Sequence, residues 1–554
     1  MDKPWLKSYP AGVPAELPQP PYQSLLHMIE DCLERYAERP AYTCMGTTLS
    51  YRELDGLSRD FAACLQKELG LLKGQRVAIM LPNVLQYPVA LFGLFRAGLV
   101  AVNVNPLYTP RELKHQLRDS GAKAIVILEN FADVLEEVID DTDVEHVITT
   151  RVGDLLKAPK GAIVNFVLKY VKRAVPSFSL PNAVRFGAAL QRGRGHKLAP
   201  MQLGYADIAF LQYTGGTTGV SKGAMLSHRN MVYNVHQSKS WQGQVFNALD
   251  RIVVITALPL YHIFSLEANC LGILVEGGEN VLITNPRDMP GFVSELGKHR
   301  FHYVTGVNTL FAGLLNTPGF ADLDFSSLRM VIGGGMAVQE AVARRWKEVT
   351  GVPIVQAYGL TETSPAAIVN PLDVTEFTGS IGLPIPSTEV AIADDDGKFL
   401  PLGEVGEICI RGPQVMEGYW QRPEETAKVM LDGGWLRTGD VGRMDEQGFV
   451  YIEDRKKDMI LVSGFNVYPN EIESVAVELE GVLEAAAIGK PDERSGEVVK
   501  LFVVRSDDSV TAEAIIAHCR DNLTGYKVPK EVEFRDELPK TNVGKILRRA
   551  LRDE

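Results

Sequence analysis

The sequence predicts a multidomain α/β protein, and three observations carry that prediction. From about residue 24 to 300, helical hydrophobic patterns alternate with short apolar runs. This is the signature of βαβ units and mostly parallel sheets. Between about 380 and 450 the pattern changes to short strands with close Gly/Pro/Asp turns, as in "VAIADDDGKFLPLGEVGEICIRG". That stretch reads as a small antiparallel, barrel-like subdomain. After "EDRKKD" (Glu453–Asp458) come about 100 residues of mixed strand and helix, a natural small α+β C-terminal domain.

Taken in order, residues 1–22 are Pro-rich and predict an extended arm on a surface. "RVAIML" (Arg76–Leu81), "AKAIVIL" (Ala122–Leu128) and "RIVVIT" (Arg251–Thr256) are short apolar runs of buried-strand type. In "GAIVNFVLKYVKRAVP" (Gly161–Pro176), Ile163, Phe166, Val167 and Tyr170 share one helical face while Lys169, Lys172 and Arg173 cluster elsewhere. Such a helix either lies on an anionic membrane surface or packs on its own domain with a solvated basic edge. "DIAFLQ" is a buried strand that runs into "YTGGTTGVSKGAMLSH" (Tyr213–His228), and "LRMVIGGGMAV" (Leu328–Val338) again leads a strand into a glycine turn. No internal repeat is present.

Bulk composition narrows the function classes. With 45% apolar and 23% charged residues over 554 positions, the chain can bury a large core without disulfides. Six scattered cysteines show no CxxC and no zinc-like spacing, which suits reduced thiols in a cytoplasmic protein. A net charge of −12 argues against nucleic acid as the main partner. The N-terminus lacks the basic start and apolar core of a signal peptide, and no stretch approaches the roughly 20 apolar residues of a bilayer span. A soluble or peripheral protein is expected.

The glycine loop carries the first chemistry. Glycines let backbone N–H groups converge on an anion, and Lys222 adds a mobile positive charge. The loop is not a Walker A motif, because Ser221 precedes Lys222 and Gly223 follows it; a plain Gly/Thr-rich connector is the alternative. "QAYGLTETS" (Gln356–Ser364) supplies an aromatic ring, a hydroxyl and a carboxylate after the strand "PIVQ". Glu362 is a hard oxygen ligand of the kind Mg²⁺ uses beside phosphates, or else a helix N-terminal charge. "GGWLRTGDVG" (Gly433–Gly442) presents Asp440 in a Gly-flanked turn, suited to two ribose hydroxyls or merely to the turn itself. "PKTNVGKILRR" (Pro539–Arg549) places Lys545 beside a glycine in a basic cluster that, taken alone, is a solvated face.

Together these stretches resemble the adenylate-forming enzymes: acyl-CoA synthetases, luciferases and peptide-synthetase adenylation domains. The likeness runs along essentially the whole chain in the family's order. Asp432–Glu473 is similar to the signature of fatty acyl-CoA synthetases, and "NVNPLYTPREL" and "PLYHIFSL" are similar to the bacterial long-chain fatty-acid–CoA ligases. The resemblance implies a large N-terminal domain, 1–454, of two βα-layered sheets plus a small distorted β-barrel at 380–450. It also implies a hinge at 455–457 and a small mobile α+β lid, 458–554.

It further implies a reaction in two halves: ATP and a fatty acid give acyl-AMP and pyrophosphate, then CoA displaces AMP. Tyr213, Thr214, Gly215, Gly216, Thr217, Thr218, Gly219 and Lys222 would hold the β- and γ-phosphates. Adenine would lie between Gly333–Met336, including Gly334 and Gly335, and the Gln356–Tyr358–Gly359 stretch. Asp440 and Arg455 would hold the ribose, Thr361 would meet the α-phosphate, and Glu362 would bind Mg²⁺. Lys545 would be delivered to the carboxylate and withdrawn by rotation about Lys457, which would bring Ser463, Gly464 and Phe465 to line a CoA channel. His262 would sit at the mouth of the acyl site. Fatty acid, ATP and CoA are thus the expected partners, with peripheral contact at the cytoplasmic face of the inner membrane through 161–176, and a homodimer. Rival readings are an aryl- or medium-chain acyl-CoA ligase, a fatty acyl-AMP ligase, a non-catalytic lipid-binding module and an unrelated P-loop ATPase. Lys545, Glu362, Asp440 and Arg455 standing together argue against the module, and the absence of Gly-Lys-Ser/Thr against the ATPase.

Overall fold

The computed structural model describes residues 2–214, 221–463, 465–492, 494–541 and 544–552. Among them, four sheets form. The first has eight strands, with Val100–Asn103, Arg76–Met80 and Ala124–Leu128 at its parallel centre. Ile208–Thr214 joins this centre beside Val100–Asn103 and pairs antiparallel with Lys222–Ser227. The second has nine strands; Val253–Thr256, Tyr303–Gly306, Met330–Gly334 and Ile354–Gly359 run parallel side by side. These strands are short, continuous apolar runs because helices cover both faces.

Local sequence chemistry sets the helix starts. The Ser227 side chain accepts from Asn230 N and the Asn230 side chain returns a bond to Ser227 N, closing a capping box. This fixes where the helix His228–Phe246 begins, immediately after the glycine loop, and such a cap is worth about 1 kcal/mol. Ser50 with Glu53 and Thr109 with Glu112 do the same for Tyr51–Lys67 and Pro110–Ser120.

The main core joins both large sheets, with Phe95 edge-on to Phe210 at 5.3 Å and Phe61 against Phe186 at 4.9 Å. A second core gathers Phe311, Trp346 and Phe320 on the other side of the nine-stranded sheet. The region of short strands forms a five-stranded antiparallel sheet built on Gly406–Arg411 and Trp435–Met444. The chain beyond it makes a fourth sheet with its own core around Ile460, Ile472, Leu501 and Ile515. A separate core marks this C-terminal part as a folding unit of its own.

The N-terminal arm is more structured than its prolines suggest. Pro4–Ser8 forms a 3₁₀ turn that buries Trp5, and Leu17 N donates to Ser387 Oγ at 2.8 Å. All six cysteines are buried and free. Among the described residues, no helix is long and apolar enough to cross a membrane.

Candidate functional site

The two large sheets, the antiparallel sheet and the C-terminal unit converge on one cavity of about 1530 Å³. Parallel strands deliver its floor. Met330–Gly334 and Ile354–Gly359 pair with Gly333 opposite Gln356 and Gly334 opposite Ala357. The glycine turn and the Tyr358 ring therefore end up on one wall. Glycine is required at two points here. Gly335 has φ +78°, and a side chain on Gly359 would lie 1.8 Å from the carbonyl oxygen of Pro365.

Asp440 and Arg455 are brought together by strand register, facing each other across the antiparallel pair Trp435–Met444 and Val450–Arg455. Arg455 Nε lies 3.2 Å from Asp440 Oδ1, while the Tyr358 hydroxyl donates to Asp440 Oδ2 at 2.7 Å. Asp440 is buried, and its charge holds the Arg455 guanidinium above its ordinary value. Burial first, then the Asp440 charge, pushes the Tyr358 phenol well up, so it remains a donor. The three groups make a polar clamp with its carboxylate fixed toward the cavity.

Thr361 and Glu362 sit on the 3₁₀ turn Thr361–Thr363 that follows Tyr358, and both line the cavity. The Tyr419 hydroxyl donates to Glu362 Oε1 at 2.7 Å. Glu362 lines the cavity, and no cluster of three metal-ligating side chains exists among the described residues. A lone carboxylate fits Mg²⁺ shared with phosphates, which is bound by one or two protein ligands rather than by a cage.

Tyr213 and Thr214 end their strand at the cavity, and Tyr213 donates to Asp119 Oδ2 at 2.7 Å. Gly215, Gly216, Thr217, Thr218 and Gly219 lie outside the described residues. Ser221 closes back on the strand through Oγ to Thr214 O at 2.6 Å. Lys222 does not line the cavity: its Nζ pairs with Glu425 at 2.5 Å and lies 4.9 Å from the Tyr419 ring centroid.

Lys545 reaches the same cavity from the C-terminal unit. Its Cε passes 3.5 Å from the Cβ position that Gly335 lacks. Burial, then the nearby Arg455, pull its ammonium down to about 8, against the opposing pull of Asp440 and Glu362. His262 caps the short helix Ile263–Ser265, with Nδ1 accepting from Phe264 N at 3.3 Å. Burial, with Lys545 close by, lowers its imidazole to about 3, so it is neutral at physiological pH.

The C-terminal unit is fastened against the strand that carries Arg455. Arg548 donates to both oxygens of Glu473 at 2.9 and 2.7 Å and lies 3.7 Å from Asp454. Lys457 sits in the turn after Arg455 and borders the cavity. Ser463 and Phe465 do not line it; Phe465 stacks on Tyr526 at 4.7 Å, and Gly464 lies outside the described residues. The structure thus gathers Lys545, Glu362, Thr361, His262, Gly334, Gly335, Gln356, Tyr358, Gly359, Asp440 and Arg455, and leaves Lys222, Ser463 and Phe465 outside the cavity lining.

Tyr419, Glu425, Thr309 and Arg548 escaped the sequence reading. Each acts through a partner distant in the chain, and none stands in a glycine-rich motif. "YW" at Tyr419, after a Gly and before the Pro423 helix start, was the one available signal.

The chain resembles known proteins along its length. Residues 29–420 match the family described as AMP-binding enzyme, and residues 471–545 match the AMP-binding enzyme C-terminal domain. The chain is 58% identical over 554 residues to a long-chain-fatty-acid–CoA ligase of Escherichia coli O6:H1 (strain CFT073), covering 100% of this chain and 98% of the relative. A solved anthranilate CoA ligase in complex with anthranoyl-AMP superposes with TM-score 0.84 at 26% identity, over 97% of this chain and 98% of the other. ATP-bound MatB from Rhodopseudomonas palustris gives TM-score 0.79 at 29% identity, over 94% and 98%.

Proposed function

The chain belongs to the AMP-binding enzyme family, and on that premise we propose that it is an AMP-forming long-chain fatty acid–CoA ligase whose two half-reactions share the cavity described above. The observation that carries the reading is the meeting of Lys545 with the Asp440–Arg455–Tyr358 clamp and Glu362, from two separate sheets and the C-terminal end of the chain.

In the first half, a carboxylate oxygen of the fatty acid bonds to the α-phosphorus of ATP as the bond to pyrophosphate breaks. Negative charge gathers on the oxygens around that phosphorus, and positioned cations and donors lower the barrier. Asp440 accepts from the ribose hydroxyls, and Arg455 and Tyr358 fix its oxygens. Lys545, an ammonium below about pH 8, faces the carboxylate and α-phosphate. Thr361 donates to the α-phosphate. Tyr213, Thr214 and the glycine loop hold the departing pyrophosphate. Glu362 would hold Mg²⁺, which would supply charge neutralisation on the phosphates when bound. Neutral His262 stands at the mouth of the acyl site without adding a competing charge beside Lys545.

In the second half, the CoA sulfur bonds to the acyl carbon, the bond to AMP breaks, and the thiol proton leaves to solvent. Rotation about Lys457, between a domain ending at residue 454 and a lid beginning at 458, withdraws Lys545 and turns Ser463 and Phe465 toward the cavity. Such gating by a mobile unit is common in enzymes.

Membrane contact fits the same substrate. Ile163, Phe166, Tyr170 and Val171 are 57–66% exposed. Lys169, Lys172 and Arg173 lie in the same segment, while Val164 and Leu168 pack inward. An apolar face with a basic border suits an anionic lipid surface, from which a fatty acid would be drawn.

Pyrophosphate release with ATP and Mg²⁺ tests the function across straight-chain acids from hexanoate to stearate, and a cinnamate, with CoA present or absent. Turnover that rises with chain length and needs CoA is expected. A single burst unchanged by CoA would point to an acyl-AMP ligase, a peak with cinnamate to an aryl-CoA ligase, and no release with any acid would defeat the enzyme reading.

A further inference from the structure

Trp241, Val369, Ile381 and Ile385 also line the cavity. Two polar side chains break this apolar lining. Glu267 is 2% exposed and its Oε1 has no hydrogen-bond partner among the described residues; Tyr303 is fully buried and its hydroxyl has none either. Both line the cavity, and they are mutual neighbours, since the Glu267 charge pushes the Tyr303 phenol up. Among the described residues, the Ser238 hydroxyl, on the helix His228–Phe246, bonds to the Glu267 carboxyl. Glu267 stands on the helical segment Leu266–Leu271, five residues after His262 in the chain.

Buried polar groups without partners are rare and costly, and a purely apolar occupant would leave both of these unpaired. Their requirement is met by a ligand that brings one oxygen to this depth. Burial raises Glu267 to about 8, so near neutral pH it is largely the uncharged acid, able to donate from its O–H and accept at its carbonyl. The Tyr303 hydroxyl adds a second donor-acceptor.

We propose that Glu267, Tyr303 and Ser238 form a polar subsite within the acyl cavity that receives a hydroxyl group carried on the fatty chain, making hydroxylated long-chain fatty acids preferred substrates. This rests on the reading of the cavity as the site of a fatty acid–CoA ligase. A site built to hydrogen-bond a substrate hydroxyl discriminates against the analogue lacking it.

The test is kcat/KM of the full-length enzyme for stearate and for monohydroxystearates with the hydroxyl moved stepwise from the carboxyl to the terminal carbon. One position away from the carboxyl should be favoured by about tenfold over stearate, consistent with one satisfied buried pair. The hydroxy-to-plain ratio at that position should fall to about one in Glu267→Leu and in Tyr303→Phe. Tyr303→Phe keeps the ring and so controls for packing damage by Glu267→Leu. No favoured position, or a preference that survives both substitutions, overturns the subsite and leaves those groups to bound water. Turnover of stearate without any hydroxyl preference defeats the subsite alone, whereas no turnover of any acid defeats the ligase reading beneath it.

Discussion

Thr309 donates its hydroxyl hydrogen to the carbonyl oxygen of Gly544 at 2.9 Å, so a helix of the large sheet's domain holds the residue immediately before Lys545. Gly544 has φ +84°, and a side chain on it would fall 2.6 Å from Thr309 Oγ1. Under the proposed rotation this bond would break as Lys545 leaves the cavity, and so it would bias the lid toward the adenylating arrangement.

Thr309→Val should therefore weaken the first half-reaction and spare the second. A hydrogen bond worth about 1 kcal/mol corresponds to roughly a fivefold drop in ATP–pyrophosphate exchange. Thioester formation from supplied acyl-adenylate should stay within about twofold, because the broken bond is absent from that arrangement. Equal losses in both halves would refute the latch.

Lys545 should impose a basic limb on adenylation. Its folded pKa lies below the ordinary lysine value, at about 8, so the ammonium is present below that pH and is lost as pH rises through it. The limb belongs in kcat/KM for ATP, which reports the free enzyme. Lys545→Ala should cut adenylation by about 10²–10³-fold, the usual cost of a lost charge-stabilising donor, while CoA attack on supplied acyl-adenylate survives. Lys545→Arg should be slower than the parent but flat through pH 9, since a guanidinium stays charged. A limb retained in the arginine variant would assign the titration to another group.

Asp440→Asn should weaken nucleotide binding. It removes the charge that meets Arg455 at 3.2 Å and accepts from Tyr358 at 2.7 Å. Hydrogen bonds to charged groups are worth about 1.5–3 kcal/mol, so the Kd for ATP should rise by about 10- to 100-fold in calorimetric titration. An unchanged Kd would remove Asp440 from the ribose site.

Phe166 and Tyr170, 5.1 Å apart between ring centroids, should anchor the protein on lipid. Phe166→Ser with Tyr170→Ser should lower co-sedimentation with anionic phospholipid vesicles by about tenfold, and Lys172→Glu with Arg173→Glu should do so mainly at low salt. Pyrophosphate release from a soluble short-chain acid should not change. Vesicle binding indifferent to all four substitutions would return this helix to a packed element with a wet edge.

How much of this was legible beforehand can be judged residue by residue. The glycine turn at Gly333–Gly335, the carboxylate at Glu362 and the lysine at Lys545 announce themselves because each sits in a run whose composition is unusual along the chain. The strand-helix alternation likewise told the parallel sheets from the antiparallel one, since period and turn content differ locally. What stayed hidden depends on folding at a distance. Tyr358 meets Asp440 across 82 positions, and Tyr419 meets Glu362 across 57. Lys222 reads as a phosphate ligand from its neighbours, yet its nearest partner is Glu425, on the helix Pro423–Val429. Glu267 within an apolar helix gives no signal in the sequence; only the cavity shows that one of its carboxyl oxygens lacks a partner among the described residues. The N-terminal arm was read as extended because proline disfavours helix interiors; a single 3₁₀ turn with proline at its start meets no such objection.

The register that sets Arg455 opposite Asp440 has one more consequence, for the order in which products depart. Arg455 is the last residue of its strand, and the turn containing Lys457 begins directly after it. A swivel placed there turns everything downstream, Lys545 included, while the ribose clamp stays with the body of the protein. Under the proposed rotation, pyrophosphate would leave and the lid would swing without loosening the adenylate. On that proposal the nucleotide fragment would be released last, once the thioester has formed, and the reactive mixed anhydride would be shielded from bulk water between the two steps.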